Sequence, residues 1–218
     1  MPTESKATVA AVRDYPSLDE LMRHEQRHRD WDISFIERGT WLVVVAPHAK
    51  TIEPFTELIA KEVAGEDHSL FVFEGLRRKT ETRSWLHVSS ESFAHPDLER
   101  LQGSCKVTLS IHGAANNNDI PERVTHMGGK NHILRDSIWD SLNAHGFSVV
   151  LGSGRLAGLS DKNFVNRTEH QGVQLELSRG ERESLADNPV RLQRYVDAVR
   201  WAVNRYDVST YRESAEGQ

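Results

Sequence analysis

The spacing of apolar residues changes along the chain, and each change marks an element. Trp41, Leu42, Val43, Val44, Val45 and Ala46 form a continuous apolar run bounded by Pro47. A run of that length predicts a strand buried on both faces. After Pro54, the residues Phe55, Leu58, Ile59 and Val63 keep helical spacing, which predicts a helix with one apolar face. Proline suits a first helical turn and not an interior, so Glu53 is expected at the helix start. Gly65 is expected to end that helix. Further strands are predicted over residues 33–37, 70–73, 85–88, 107–111, 124–127 and 147–150. Ser17-Leu18-Asp19-Glu20 reads as a capping box for a short helix to about residue 24. Leu134, Ile138 and Leu142 predict a helix over residues 131–145 closed by Gly146, and Leu192, Tyr195, Val196, Val199 and Val203 predict one over residues 189–206. Residues 172–178 alternate, with Val173, Leu175 and Leu177 on one side and Gln174 and Glu176 on the other.

Composition narrows the class. The chain has 218 residues, 38% hydrophobic and 27% charged, an ordinary soluble globular balance. No internal repeat or linker divides it, so one domain over residues 1–218 is expected, with residues 1–15 and 209–218 poorly ordered. The formal net charge of −5 supplies no basic field for nucleic acid. The first residues lack a basic start and an apolar core, so no signal peptide is read. No apolar run approaches a membrane span. The expected location is therefore cytoplasmic, or outside after lysis, and the expected state a monomer. Cys105 is the only cysteine, which excludes an intrachain disulfide.

Two stretches pair a buried strand with a histidine at its end: Val45 to His48, and Val107 through Ile111 to His112-Gly113. Ligands in open α/β sheets bind at strand carboxyl ends. His48 and Glu53 are separated by a strand end, a turn and a helix start, which can fold both side chains toward one point. Were the two strands neighbours, His112 would join them. The competing reading is an ordinary βα turn, with Glu53 favourable at a helix N-terminus and His48 exposed. Glu176 likewise reads either as a site carboxylate or as a solvent-facing one on an amphipathic strand. Arg77, Arg78, Lys79 and Arg83 form a local basic cluster in an acidic protein, which in its plainest reading is a solvated loop. The glycine-rich passage from Gly152 to Gly158 lacks a phosphate-binding pattern.

Several of these residues recur as a set. Pro47-His48 with Ile52-Glu53, Leu86-His87-Val88-Ser89-Ser90, Ser110-Ile111-His112-Gly113, Asn163 with Asn166-Arg167, and Gly172 to Ser178 with Arg182 stand in this order. The set resembles the poly-γ-glutamate hydrolase family, phage and bacterial zinc enzymes with a zinc-carboxypeptidase-like core, over roughly residues 32–185. The resemblance implies an α/β fold, a three-layer αβα arrangement around a central mixed sheet. It implies one Zn²⁺ per chain held by His48, Glu53 and His112, an arrangement that leaves a fourth position for water. It implies Glu176 as general base, and Asn163, Asn166, Arg167, Arg182 and His87 on the substrate, an anionic γ-glutamyl polymer or peptide. Ala49, Lys50 and Thr51 replace the glycines common in the family's turn, which puts a cation close to the implied metal. The alternatives carried with this reading are a zinc amidase acting on an N-acyl amino acid or cell-wall peptide, and an inactive metal-binding phage accessory protein.

Overall fold

A computed structural model of the protein describes residues 15–78, 85–114, 123–206 and 208. Its strands are β1 (Trp31–Ile36), β2 (Leu42–Lys50), β3 (Ser69–Gly75), β4 (Val107–Gly113), β5 (Thr125–Gly128), β6 (Val149–Leu151) and β7 (Gly172–Leu177). Its helices are α1 (Leu18–His24), α2 (Thr56–Ala64), α3 (Pro96–Ser104), α4 (His132–Ala144), α5 (Arg179–Asp187) and α6 (Pro189–Arg205). The strands form a seven-stranded sheet in the order β1-β3-β2-β4-β7-β5-β6. β3, β2, β4 and β7 run parallel through its centre. β1 is antiparallel to β3, and β5, itself parallel to β6, is antiparallel to β7. The sheet is therefore mixed, as expected.

Each face of the sheet carries its own core. Val44, Val72, Leu109 and Leu175 point to one side, where they meet Ile59 and Val63 of α2, Ile138 of α4 and Val199 of α6. Val43, Val45, Phe71 and Phe73 point to the other and meet Leu21 of α1, Leu98 and Leu101 of α3, and Phe93 and Phe164. That is the three-layer αβα arrangement. It explains why the central strands read as unbroken apolar runs: both faces are covered.

Four expectations change. Pro47 does not end β2; the strand continues to Lys50, and its pairing with β3 shifts register between Ala46 and Ala49. A proline lacking its N–H is accommodated at such a bulge. Pro54 lies outside α2, because Phe55 takes the N-cap position with φ 74° and the helix begins at Thr56. Residues 85–88 are not a strand: Val88 makes one isolated bridge, to Tyr15, and Leu86 and Val88 are held by burial in the second core. Finally, α3 and α5 were not read from the sequence. Both are nine residues long, too short for periodicity to stand out, although the Pro at the start of α3 and the Ser178 cap of α5 are start signals. The polar tail from residue 209 and most of the loop from residue 114 to 119 lie outside the described residues. Among the described residues no helix is long and apolar enough to cross a membrane.

Candidate active site

The site is made at one end of the parallel centre of the sheet. β2 and β4 are adjacent, so His48 and His112 meet, with ring centroids 5.2 Å apart. β7 lies beside β4, and its register sets Glu176 opposite His112. Glu53 arrives from the turn after β2, which closes back through Glu53 N–H donating to the His48 carbonyl at 2.7 Å. The five-residue spacing thus folds two side chains onto one point, with Glu53 Oε1 2.9 Å from His48 Nδ1. The other oxygen, Oε2, accepts from Gly113 N–H at 2.7 Å and lies 3.8 Å from His112 Nδ1. His48, Glu53, His112 and Glu176 are all buried.

The local electrostatics are strongly perturbed. Burial opposes a charge on Glu53, but the charge and hydrogen bond of His48 outweigh it and hold this carboxyl down at about 2. Burial likewise opposes a charge on His48, and Glu53 overcomes it and raises the imidazole. His112 is pushed down to about 3 by burial, which Glu53 offsets only in part. Glu176 goes the other way, raised to about 8 by burial and by the negative charge of Glu53. The two carboxyl groups of one cavity are thus shifted in opposite directions. Glu176 is not the solvent-facing carboxylate of an amphipathic strand: every residue of β7 is buried.

The donor set suits a metal ion. His48 Nε2–H donates to the Val88 carbonyl at 2.8 Å, so the neutral ring presents a lone pair at Nδ1 to the Glu53 carboxylate. Two acceptors that close require a proton or a cation between them. His112 Nε2 is buried with no hydrogen-bond partner among the described residues, and its depressed pKa keeps the ring neutral, as metal ligation demands. His87 lies tilted against His48 at 4.3 Å between centroids, and one ligand atom each from His48, Glu53 and His87 lie within 4.8 Å of one another. Imidazole nitrogens, borderline donors, with one carboxylate fit Zn²⁺.

A cavity of about 470 Å³ opens over this cluster, lined also by Trp85, Arg155, Asn163 and Gln174. Asn163 donates to Gln174 Oε1 at 3.0 Å, and Gln174 Nε2 donates to Glu176 Oε1 at 2.8 Å. Asn163 and Gln174 thus fix the orientation of the carboxyl group.

Other expectations need revision. Arg167 does not line the cavity; its guanidinium donates to the backbone carbonyls of Phe93, Glu91 and Lys162. Asn166 is also engaged with backbone, at Lys130 N–H, Gly158 O and Ser160 O. Arg182 is buried beneath the site, donating to Leu177 O at 3.2 Å and Pro54 O at 2.7 Å. It packs so closely under Gly113 that a Cβ there would stand 2.6 Å from its Cζ. These side chains hold the site's loops in place. Of the basic cluster, Arg77 is largely buried in an ion pair with Glu25 and near Asp30, Arg78 is exposed, and Lys79 and Arg83 lie outside the described residues. Lys50 turns its ammonium onto Glu74 at 2.8 Å, away from the cavity. Arg155 was not singled out from the sequence, and the glycines around it were its only signal.

Residues 15–199 match the poly-gamma-glutamate hydrolase family. The chain belongs to that family. A relative, the UPF0714 protein YndL of Bacillus subtilis (strain 168), is 30% identical over 182 residues, which cover 82% of this chain and 69% of YndL. The chain spans about two thirds of the length of the curated relatives it matches, 69% and 63%. Among solved structures, a bacteriophage poly-gamma-glutamate hydrolase superposes with a TM-score of 0.79 at 26% identity, covering 88% of this chain and 97% of that one. A zinc-free apo form of YndL superposes with a TM-score of 0.77 at 24% identity, over 88% of this chain and 97% of that one. The family's fold and the pocket over the histidine–carboxylate cluster thus go together in this chain.

Proposed function

We propose that this chain is a zinc-dependent hydrolase that cleaves γ-glutamyl amide bonds of poly-γ-glutamate. The observation that carries the reading is a buried Glu53 set between His48 and His112, one carboxylate oxygen toward each, with Glu176 opposite His112 on the next strand. Family membership supports the reaction, and the zinc-free form recorded for YndL supports the choice of metal.

His48, Glu53 and His112 would hold the ion. Bound there, zinc supplies a Lewis acid for the scissile carbonyl and an acidified water. The chain's own residues do the rest. Glu176, oriented by Gln174, takes the proton of the attacking water and returns it to the leaving amine nitrogen. Its burial beside the Glu53 charge raises its proton affinity toward that of neutral solution, the range in which a group can both accept and donate. Val88 holds His48 by its carbonyl and so fixes the tautomer that leaves Nδ1 available. The proximity of His87 to His48 and Glu53 favours a second ligand set in which His87 takes the place of His112.

The test is a Glu176→Gln variant. It is expected to keep its fold and its zinc while losing on the order of 10²–10⁴ in kcat, the range for a general acid–base group. Wild-type rates from that variant would remove Glu176 from the mechanism.

A further inference from the structure

Arg155 stands on a loop built almost wholly of small residues and is the only Lys or Arg among the described residues that line the cavity. Its side chain is exposed and has no hydrogen bond or ion pair among the described residues. Its positive charge reaches Glu176 across the cavity. The Asp, Glu, Lys and Arg residues otherwise lining the cavity, Glu53, Glu91 and Glu176, are all carboxyl groups, so among these side chains Arg155 alone offers an anionic ligand a positive partner.

The loop carrying Arg155 is pinned to the sheet. A Cβ on Gly152 would stand 2.2 Å from Leu156 O, and one on Gly128 would stand 2.4 Å from Ala157 O. Gly129 N–H donates to Ala157 O and Gly152 N–H to Met127 O, both at 2.8 Å. Gly154 and Gly158 adopt φ of 54° and 60°, which side chains rarely tolerate. Gly158 approaches Gln174 Oε1, on the same side chain that orients Glu176, so that a Cβ there would be 3.0 Å away. Asn166 ties down the Gly158 carbonyl at 2.7 Å. The glycines therefore let the loop lie directly on β5 and β7, which sets the base of Arg155 at a fixed place relative to Glu176.

We infer that Arg155 is the residue that reads the substrate's free carboxylate beside the scissile amide, and that it selects acidic γ-linked chains over neutral ones. The inference rests on the hydrolase reading above. A γ-linked glutamyl unit carries its α-carboxylate on the carbon chain next to the reacting bond, and a guanidinium fork binds a carboxylate through two parallel hydrogen bonds.

The experiment compares wild type, Arg155→Gln and Arg155→Lys on a γ-glutamyl oligomer and on the same oligomer with its α-carboxylates converted to amides. Zinc content and circular dichroism are measured on each protein. On the acidic oligomer, Arg155→Gln is expected to lose about 10- to 100-fold in kcat/KM, mainly through KM, as for loss of hydrogen bonds to a charged group. Arg155→Lys falls between, because an ammonium keeps the charge but not the fork. On the amidated oligomer all three proteins are expected to be equally slow, with unchanged zinc. Equal kcat/KM for wild type and Arg155→Gln on the acidic oligomer, with wild type active, overturns the inference alone. Inactivity of zinc-loaded wild type on both oligomers overturns the hydrolase reading, and the inference with it.

Discussion

His48 and Glu53, at the centre of the site, each have neighbours that settle their protonation or their aim. Val88 holds one nitrogen of His48 and Glu53 faces the other; Gly113 N–H holds one oxygen of Glu53. His112 differs, for its Nε2 is buried with no partner among the described residues. A buried polar atom left unsatisfied costs about 1–3 kcal/mol, while the ring's other nitrogen, Nδ1, lies 3.8 Å from Glu53 Oε2, where an ion would be held. His112→Ala is therefore expected to lose most of the bound zinc, measured by elemental analysis after dialysis. His87→Ala is expected to retain it with affinity weakened by about 10- to 100-fold, as for a residue that supports a ligand. The reverse ranking would exchange the roles of the two histidines. The first three ligand candidates were legible in the sequence because strand ends and a short turn carry them. His87 was read only as a substrate contact, because its place beside His48 depends on how residues 85–93 cross the end of the sheet, which no local periodicity encodes.

At the level of elements, parallel strand order does the assembling. β2, β4 and β7 are neighbours, so residues far apart in sequence arrive side by side without any one loop having to reach. The apolar runs of β2 and β4 announced this; the passage from Gly152 to Gly158 did not. Glycine content read as a missing phosphate motif, whereas its physical reason is close contact between a loop and the sheet. Gly152→Ala tests that reason. Its Cβ would meet the Leu156 carbonyl, a backbone atom that cannot swing aside. The expected cost is roughly 1–3 kcal/mol, as for overpacking, seen as a lower urea midpoint together with reduced activity. An unchanged midpoint would mean that the loop is free to lift. Arg167 and Arg182 make the complementary point: arginines in the right sequence neighbourhood are engaged with backbone carbonyls, and only packing reveals that.

For the whole molecule, stability should weaken toward acid. His68 is buried between β3 and Trp41, and desolvation, with the positive charges of Arg200 and Arg38 added, holds its pKa below 6.5. The unfolded chain then binds the proton more readily than the folded one. The contribution is present in full above about pH 6.5, and it is lost as pH falls toward the depressed folded value. Urea unfolding of wild type and His68→Gln in EDTA should give a shallower acid slope for the variant; parallel slopes would assign the effect elsewhere. The chain's net charge of −5 makes its affinity for a polyanion a local matter, dependent on the cavity and not on a long-range field. The central claim is that this cavity, with zinc bound, cuts γ-glutamyl amides. The most direct measurement is the molecular mass of poly-γ-glutamate over time with zinc-loaded protein and with protein stripped by EDTA. The account predicts a steady fall in mass with the first, none with the second, and recovery on adding zinc. A mass that stays constant while the protein holds stoichiometric zinc would contradict it.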